Sequence, residues 1–131
     1  MLQLIYISTL SPNAGPDPVA DILSSSRRNN SRNGISGVLL HRGRRFLQVL
    51  EGHGDGVLTT LARIRVDPRH RAIVALGERE IECPEFGTWS MASDSDMPAD
   101  RVMEQIEALT RNASPNVRAL FNSYAAINPA A

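Results

Sequence analysis

The sequence predicts an α+β fold: a mixed β-sheet with the element order βαββαββ, followed by two C-terminal helices. Three observations predict it. Short β-rich apolar runs are bounded by turn residues, two amphipathic segments with helical spacing lie between them, and two more end the chain. Right-handed crossovers place the two internal helices on one face of the sheet. The last two helices are expected to cover the other face, although such apolar stripes would equally suit a dimer interface.

The first half of the chain is predicted to form a strand, a helix and a hairpin. Leu2–Ser8 is an apolar run that ends at a loop rich in Pro and Gly, as expected for a buried strand. Asp17–Asn29 has apolar residues at helical spacing, and Pro18 suits a first helical turn. Residues 34–52 contain two β-rich runs separated by Arg42-Gly43-Arg44, whose glycine can supply the positive φ of a tight hairpin.

The second half continues with a helix and two strands. Val57–Val66 carries an apolar helical face that stops before Asp67-Pro68. Ala72–Leu76 is predicted as the fourth strand, with an extension as far as Glu82, and Phe86–Met91 as a short fifth strand.

Two amphipathic helices are predicted over Pro98–Arg111 and Pro115–Ile127. The sequence contains no internal repeat and no low-complexity segment. We therefore divide it into one domain over residues 1–95 and a C-terminal helical extension over residues 96–131 that packs on this domain.

Composition excludes several classes of function. Fourteen basic residues balance fourteen acidic ones, so we expect neither nucleic acid nor an anionic membrane as a partner. A single cysteine, Cys83, excludes an internal disulfide. The three histidines lack the spacing of common zinc sites, so no metal is expected. No apolar run approaches the ~18 residues that span a bilayer, and we expect a cytoplasmic protein.

One polar residue is unusual because it lies within a predicted buried strand. Gln48 shares a strand face with Phe46 and Leu50. A buried amide without a partner costs roughly 1 to 3 kcal/mol, so Gln48 requires a polar side chain or a ligand. Tyr6 on the first strand is a candidate partner, and a Tyr–Gln hydrogen bond in the core is the simplest interpretation of the pattern alone.

Two other pairs of residues have equally simple structural interpretations. Asn29 and Asn30 lie at the predicted end of the first helix, where asparagine commonly forms a C-cap and turn. Trp89 and Met91 are two residues apart on the predicted fifth strand, so they would share a face and suit the core.

Six segments that contain these residues occur in a specific order along the chain. They are Tyr6-Ile-Ser8, Ser26-Arg-Arg-Asn29-Asn30, Gly34-Ile-Ser-Gly37, Phe46-Leu-Gln48-Val-Leu-Glu51-Gly52, Asp67-Pro-Arg-His70 and Phe86-Gly-Thr-Trp89-Ser-Met91. Over residues 2 to 93 the chain closely resembles BLUF domains, which are flavin-based blue-light sensors. One departure is Pro84, which stands where the family often has an arginine.

The resemblance implies a ferredoxin-like sheet with FAD held non-covalently between the two internal helices. By matching position, Asn30 would bond the carbonyl edge of the flavin. Asn29 and Arg63 would contact its other polar edge or the ribityl-phosphate side, and Gln48 would approach N5 and O4. The full set of implied flavin-binding residues is Tyr6, Ser26, Asn29, Asn30, Gln48, Arg63, Asp67 and His70.

The resemblance also implies a photochemical mechanism. The excited flavin would take an electron and a proton from Tyr6, and the pair would recombine with Gln48 rotated or tautomerised. A phenol and an amide suit these roles, since an amide offers both donor and acceptor ends. Ser8, Trp89 and Met91 would then relay the change to the sheet.

We expect a sensor rather than an enzyme. The signal would leave through changed contacts with an unidentified downstream protein, by way of the last two helices or the exposed side of the sheet, and the protein is expected to be a homo-oligomer. One alternative is a flavin-free interaction module of ferredoxin-like fold whose terminal helices dimerise. A small phosphate-handling hydrolase is a further alternative, but it lacks support because no Gly-rich phosphate loop is present.

Overall fold

The computed structural model describes residues 1–12, 15–86, 92–93, 102–111 and 113–126, which form five strands and four helices. The elements are β1 (Leu2–Leu10), α1 (Pro18–Asn33), β2 (Ser36–Arg42), β3 (Arg45–Gly52), α2 (Gly54–Arg65), β4 (His70–Glu80), β5 (Ala92–Ser93), α3 (Val102–Leu109) and α4 (Pro115–Ala125). The predicted order βαββαββ, followed by two helices, is confirmed.

The five strands form one mixed sheet in the order β4-β1-β3-β2-β5. The pairs β4–β1, β1–β3 and β3–β2 are antiparallel, whereas β5 runs parallel to β2. This is the ferredoxin-like arrangement, in which each crossover helix connects two strands that have a third strand between them. The two central strands, β1 and β3, face each other from Leu2 opposite Gly52 to Thr9 opposite Arg45.

The sheet separates two hydrophobic cores. On the first face, α1 and α2 pack over the alternate strand residues Leu4, Tyr6, Leu39, Phe46 and Leu50. On the second face, Phe86 and the C-terminal helices pack over the remaining alternate residues. The buried members of this second core are Ile5, Val38, Leu40, Leu47, Val49, Phe86, Ile106, Ala113, Val117 and Phe121. The expectation that α3 and α4 cover this face is therefore confirmed.

The first helix is longer than the sequence predicts. It continues past Asn29 to Asn33 and ends at Gly34, whose φ of 67° and N–H bond to the Asn30 carbonyl cap it. Asn29 and Asn30 therefore lie inside the helix, and the interpretation of this pair as C-cap and turn was wrong. Glycine avoids the steric cost of the left-handed conformation, so the helix ends there rather than at an asparagine.

Differences after the hairpin are confined to element boundaries. β4 begins at His70, earlier than predicted, and ends at Glu80. The fifth strand was predicted over Phe86–Met91, but residues 87–91 lie outside the described part of the chain, and β5 is found at Ala92–Ser93. The proposed domain boundary between residues 95 and 96 also lies outside the described residues. No helix among those described is long and apolar enough to cross a bilayer.

Glycines in two of the sequence motifs allow backbones to approach closely. A Cβ on Gly37 would lie 2.2 Å from the Val49 carbonyl oxygen, and a Cβ on Gly52 would lie 2.6 Å from Ile35 Cδ1. In the hairpin turn between β2 and β3, Gly43 has a φ of 59°, which glycine adopts without steric cost. β2 pairs with β3 from Ser36 opposite Glu51 to Arg42 opposite Arg45, and β3 in turn places Gln48 opposite Tyr6 of β1.

Candidate functional site

Tyr6 and Gln48 form a hydrogen-bonded pair at the centre of the sheet. The two residues lie directly opposite each other on β1 and β3, and both side chains point to the α1/α2 face. Tyr6 Oη donates to Gln48 Oε1, and both residues are at most 1% exposed. The partner that the buried Gln48 requires is thus Tyr6, as the strand pattern predicted.

A pocket of about 330 Å³ opens beside this pair, between α1, α2 and β3. This volume falls within the range of roughly 300 to 1,000 Å³ typical of small-molecule sites. Seven of the eight residues expected to contact a flavin line the pocket: Ser26, Asn29, Asn30, Gln48, Arg63, Asp67 and His70. The eighth, Tyr6, lies behind Gln48 and reaches the pocket through it.

Helical spacing brings the α1 residues to the pocket. Ser26, Asn29 and Asn30 are three and four residues apart, so their side chains share one face of the helix. Asn30 is buried at 1% exposure, whereas Asn29 and Ser26 are partly exposed. From α2, Arg63 contributes a cation on the opposite wall.

The pocket also contains residues that the sequence did not indicate. Arg28, Thr60 and Arg69 line it together with apolar side chains such as Ile22 and Leu50. Thr60 was hidden within an ordinary amphipathic helix, and its hydroxyl donates to the Gly56 carbonyl. Arg69 lies within the Asp67-Pro-Arg-His70 segment. Its position two residues after an acidic residue is the sequence feature that could have indicated the ion pair.

Asp67 and Arg69 form a bidentate ion pair at the edge of the pocket. Arg69 Nη2 lies 2.7 Å from Asp67 Oδ2, and Arg69 Nε lies 3.0 Å from Oδ1. Burial alone would raise the pKa of Asp67, but the hydrogen bonds and charge of Arg69 outweigh it, so the pKa lies below its ordinary value. Asp67 is therefore held as a carboxylate.

His70 connects the pocket to the first strand. Its Nδ1 lies 3.1 Å from Ser8 Oγ, and its ring packs against Phe46 with centroids 5.4 Å apart. Burial lowers the pKa of His70, although the nearby Asp67 charge partly opposes this effect. A neutral imidazole is favoured, and it forms a hydrogen bond with the Ser8 hydroxyl of β1.

The predicted relay residues are described only in part. Ser8 is buried, and its side chain contacts His70. Trp89 and Met91 lie outside the described residues, so a relay from Ser8 to them stays a prediction.

The Tyr6 phenol is held in its protonated form. Burial raises the pKa of Tyr6 well above its ordinary value, and the negative charge of Asp67 adds to this shift. The phenol therefore keeps its proton at physiological pH and directs it to the Gln48 carbonyl oxygen.

Comparison with known proteins identifies the family to which this chain belongs. The family model described as "BLUF: Sensors of blue-light using FAD" matches residues 1–92. The chain belongs to the BLUF family. Its fold is therefore that of the BLUF domain, a sensor of blue light that uses a flavin.

A curated relative and two solved structures agree with this assignment. The photoactivated adenylate cyclase subunit beta of Euglena gracilis is 36% identical over 76 residues, which are 58% of this chain but 9% of that protein. The dark-state structure of BlrB, a BLUF protein, has a TM-score of 0.68 and 33% identity, with 95% of each chain covered. Klebsiella pneumoniae BlrP1 with FMN and cyclic diGMP has a TM-score of 0.80 and 28% identity, covering 96% of this chain and 35% of that one.

Proposed function

We propose that this BLUF protein binds FAD non-covalently in the α1/α2 pocket and uses Tyr6 and Gln48 as a light-driven hydrogen-bond switch. The observation that carries the proposal is the position of Gln48, whose amide lines the pocket and accepts a hydrogen bond from the buried Tyr6. The amide of Gln48 therefore lies between the pocket and the Tyr6 phenol, and it can form hydrogen bonds with both a ligand and the phenol.

The chemistry of the lining suits a flavin. Asn29, Asn30 and Gln48 offer amide donors and acceptors, which match a ring edge that carries both carbonyl and N–H groups. The guanidinium groups of Arg28 and Arg63 suit the phosphates of a flavin nucleotide. The BlrP1 structure carries FMN, and the family is described by its use of FAD. We propose FAD as the resident form.

The chain supplies the electron and the proton for the photoreaction. Bound flavin provides absorption of blue light and an excited state that accepts an electron. Tyr6 is the oxidisable donor, and its proton leaves along the existing hydrogen bond to Gln48 Oε1. Because burial disfavours an isolated charge, loss of the electron and loss of the proton from Tyr6 are coupled.

Gln48 provides two stable arrangements. In the arrangement described here, its oxygen faces Tyr6. A half-turn of the amide, or its tautomerisation, exchanges donor and acceptor ends, so the pattern presented to the pocket changes without any new covalent bond. An altered hydrogen bond to the flavin would shift its absorption to longer wavelength.

The output route is proposed to run through the opposite face of the sheet. α3 and α4 pack on β2 and β3, so a change in the sheet can alter their position or exposure. We propose that an unidentified downstream protein recognises this side and that the protein acts as a cytoplasmic homo-oligomer. The chain covers a small part of its cyclase relative, and we propose no enzymatic activity for it.

An absorption spectrum before and after blue light tests this function. The purified protein is expected to be yellow and to show a reversible red shift of the flavin band. Tyr6→Phe and Gln48→Ala should each bind flavin and lose the shift. Tyr124→Phe is the matched control, because this half-buried second tyrosine lies on the α3/α4 side and should leave the shift unchanged.

Two results would contradict the proposal. A normal photocycle in either Tyr6→Phe or Gln48→Ala would exclude this pair as the switch. A protein that stays colourless after reconstitution with FAD, FMN and riboflavin would instead favour the flavin-free interaction module.

A further inference from the structure

Glu51 is a buried carboxylate that the switch described above does not use. It lies on β3, three residues beyond Gln48, and its side chain points to the opposite face of the sheet. It is 1% exposed, so its charge has been removed almost completely from water. Such a group is retained only where several donors compensate its lost hydration.

The described partners of Glu51 are N–H donors from two places, the segment that follows β4 and the side chain of Gln3 on β1. The backbone N–H of Glu85 lies 3.0 Å from Oε1, and that of Phe86 also lies 3.0 Å from Oε1. Gln3 Nε2 donates to Oε2 at 2.9 Å. Two consecutive backbone amides far along the chain are therefore bound to one side chain of β3.

The same segment is closed from its other side by a small polar network. Gln3 Nε2 also donates to Glu85 Oε1 at 2.9 Å, while Arg79 Nε donates to Gln3 Oε1 at 3.0 Å. Arg79 additionally forms an ion pair with Glu85. Residues 85 and 86 are thus fixed to β1, β3 and β4 together.

Phe86 extends this connection to the C-terminal helices. Its ring packs against Phe121 of α4 with centroids 5.6 Å apart, and both rings are almost fully buried. The sequence of contacts is therefore short: the Glu51 carboxylate, the backbone of Phe86, the Phe86 ring and the Phe121 ring. It joins the strand that carries Gln48 to the helix on the far side of the sheet.

We propose that Glu51 is a positioning residue that couples β3 to α4, so that a rearrangement at Gln48 is felt at the C-terminal helices. This inference rests on the proposed photoswitch. Gln48 and Glu51 are about 10 Å apart along one rigid strand, and a displacement of that strand moves the carboxylate together with the two amides bound to it. This route does not include the predicted relay pair, Trp89 and Met91.

The test compares the flavin spectrum with backbone hydrogen exchange in the full chain, in darkness and under blue light. Glu51→Gln keeps the length of the side chain but replaces one acceptor oxygen by an NH₂ group that opposes the N–H donors. In this variant we expect the flavin red shift to equal that of the unsubstituted (parent) protein. We also expect the backbone amides of residues 85 and 86 to exchange about tenfold faster in darkness. The light-induced change in α4 exchange should fall by at least threefold.

Glu82→Gln is the matched control. It removes the same charge three residues before Glu85, from an exposed position, and should preserve both the red shift and the α4 response. A merely structural role for Glu51 would speed exchange equally in darkness and light. It would leave the light-minus-dark difference intact.

Several outcomes would overturn the coupling role. An unchanged α4 response in Glu51→Gln would do so, as would a parent protein whose flavin shifts without any change in α4. Loss of the red shift in Glu51→Gln would place the residue in the photoswitch instead. A parent protein without any red shift would overturn the proposed function itself, which separates the two failures.

A second variant covers the case in which Glu51→Gln does not fold. Phe121→Leu keeps an apolar side chain but removes the ring contact with Phe86. It should retain the red shift and the slow dark exchange of residues 85 and 86, while the α4 response falls. A full α4 response in Phe121→Leu would exclude the aromatic contact as the route.

Discussion

The two faces of the sheet each bury a polar side chain of β3, but the surroundings of these two side chains differ. On the α1/α2 face, Gln48 accepts from Tyr6 and also lines a pocket. On the α3/α4 face, Glu51 accepts from Gln3 and from two backbone amides in a closed network. Both residues lie on β3 and both are 1% exposed, so depth of burial does not distinguish them. The two residues differ in their surroundings: the donors around Glu51 all belong to the protein, whereas Gln48 also faces a pocket that can hold a ligand.

Gln48 and Glu51 therefore differ in whether they can exchange hydrogen-bond partners. A side chain that borders a pocket can exchange partners, because a ligand and an amide rotation offer it a second arrangement. A carboxylate closed by fixed donors has no comparable alternative, since each lost bond leaves an unsatisfied buried group. The α1/α2 face is therefore suited to change, and the α3/α4 face to transmitting change as a unit.

Matched truncations on β3 should show the largest difference between the faces. Glu51→Ala removes the acceptor of the buried Phe86 amide and of the partly buried Glu85 amide, which should cost about 4 kcal/mol of unfolding free energy. Gln48→Ala opens onto the pocket, where water can enter, and should cost about 2 kcal/mol. Urea unfolding of the flavin-free proteins measures both. Equal costs would remove the distinction between closed and open sites.

Flavin should stabilise the protein through the open face. Free FAD at a hundredfold excess over Kd should raise the unfolding free energy by about 2.7 kcal/mol, because it binds only the folded state. Asn30→Ala, in the pocket, should bind more weakly and lose much of this gain. Asn33→Ala, at the exposed end of the same helix, is the control and should keep it. Thermal unfolding with and without FAD decides the matter, and equal stabilisation of both variants would count against the pocket.

The hydrogen bond between Ser8 and His70 should make a smaller contribution. Ser8→Ala removes the hydroxyl that lies 3.1 Å from His70 Nδ1, which should cost about 1 kcal/mol. Ser24→Ala, at an exposed position of α1, should change the free energy of unfolding by less than about 0.5 kcal/mol. Urea unfolding compares the two variants, and a cost at Ser8 no greater than that at Ser24 would show that the bond does not stabilise β1.

The smallest expected effect is a pH dependence at the edge of the pocket. Burial lowers the pKa of His70 below its ordinary value of 6.5, so the folded state favours the neutral ring. The corresponding stability is fully present above the ordinary pKa and is lost as the pH falls through the lower folded value. Unfolding followed from about pH 7.5 to about pH 5.5 should therefore show a decline that His70→Asn makes shallower. Identical slopes in parent and variant would assign the decline to other groups.

Much of the fold followed from local pattern. Alternation along β3 placed Gln48 on the same face as Phe46 and Leu50, and the structure agrees. Glycine at position 43 predicted the hairpin turn, because few other residues accept a positive φ. The end of α1 was misplaced by four residues, because both Asn and Gly are common at helix ends and only the packed structure shows which one the helix reaches.

The candidate site was predictable only in part. Tyr6 and Gln48 stood out because each is a polar group on a buried strand, and their assignment to a flavin depended on resemblance. Arg69 and Thr60 were missed because a charged or hydroxyl side chain on a helix or turn is ordinarily a surface residue. The role of Glu51 could not be predicted either, because its two backbone donors lie 34 and 35 positions further along the chain.

The sequence by itself determined which residues are apolar, where strands and helices alternate and which glycines the turns require. These properties depend on periodicity and on backbone sterics within a few residues. Only the tertiary structure decided which polar residues border a pocket and which are enclosed by donors. Pairing of β1 with β3 and the return of residues 85 and 86 to Glu51 bring together groups that are distant in sequence, and no local pattern specifies that meeting.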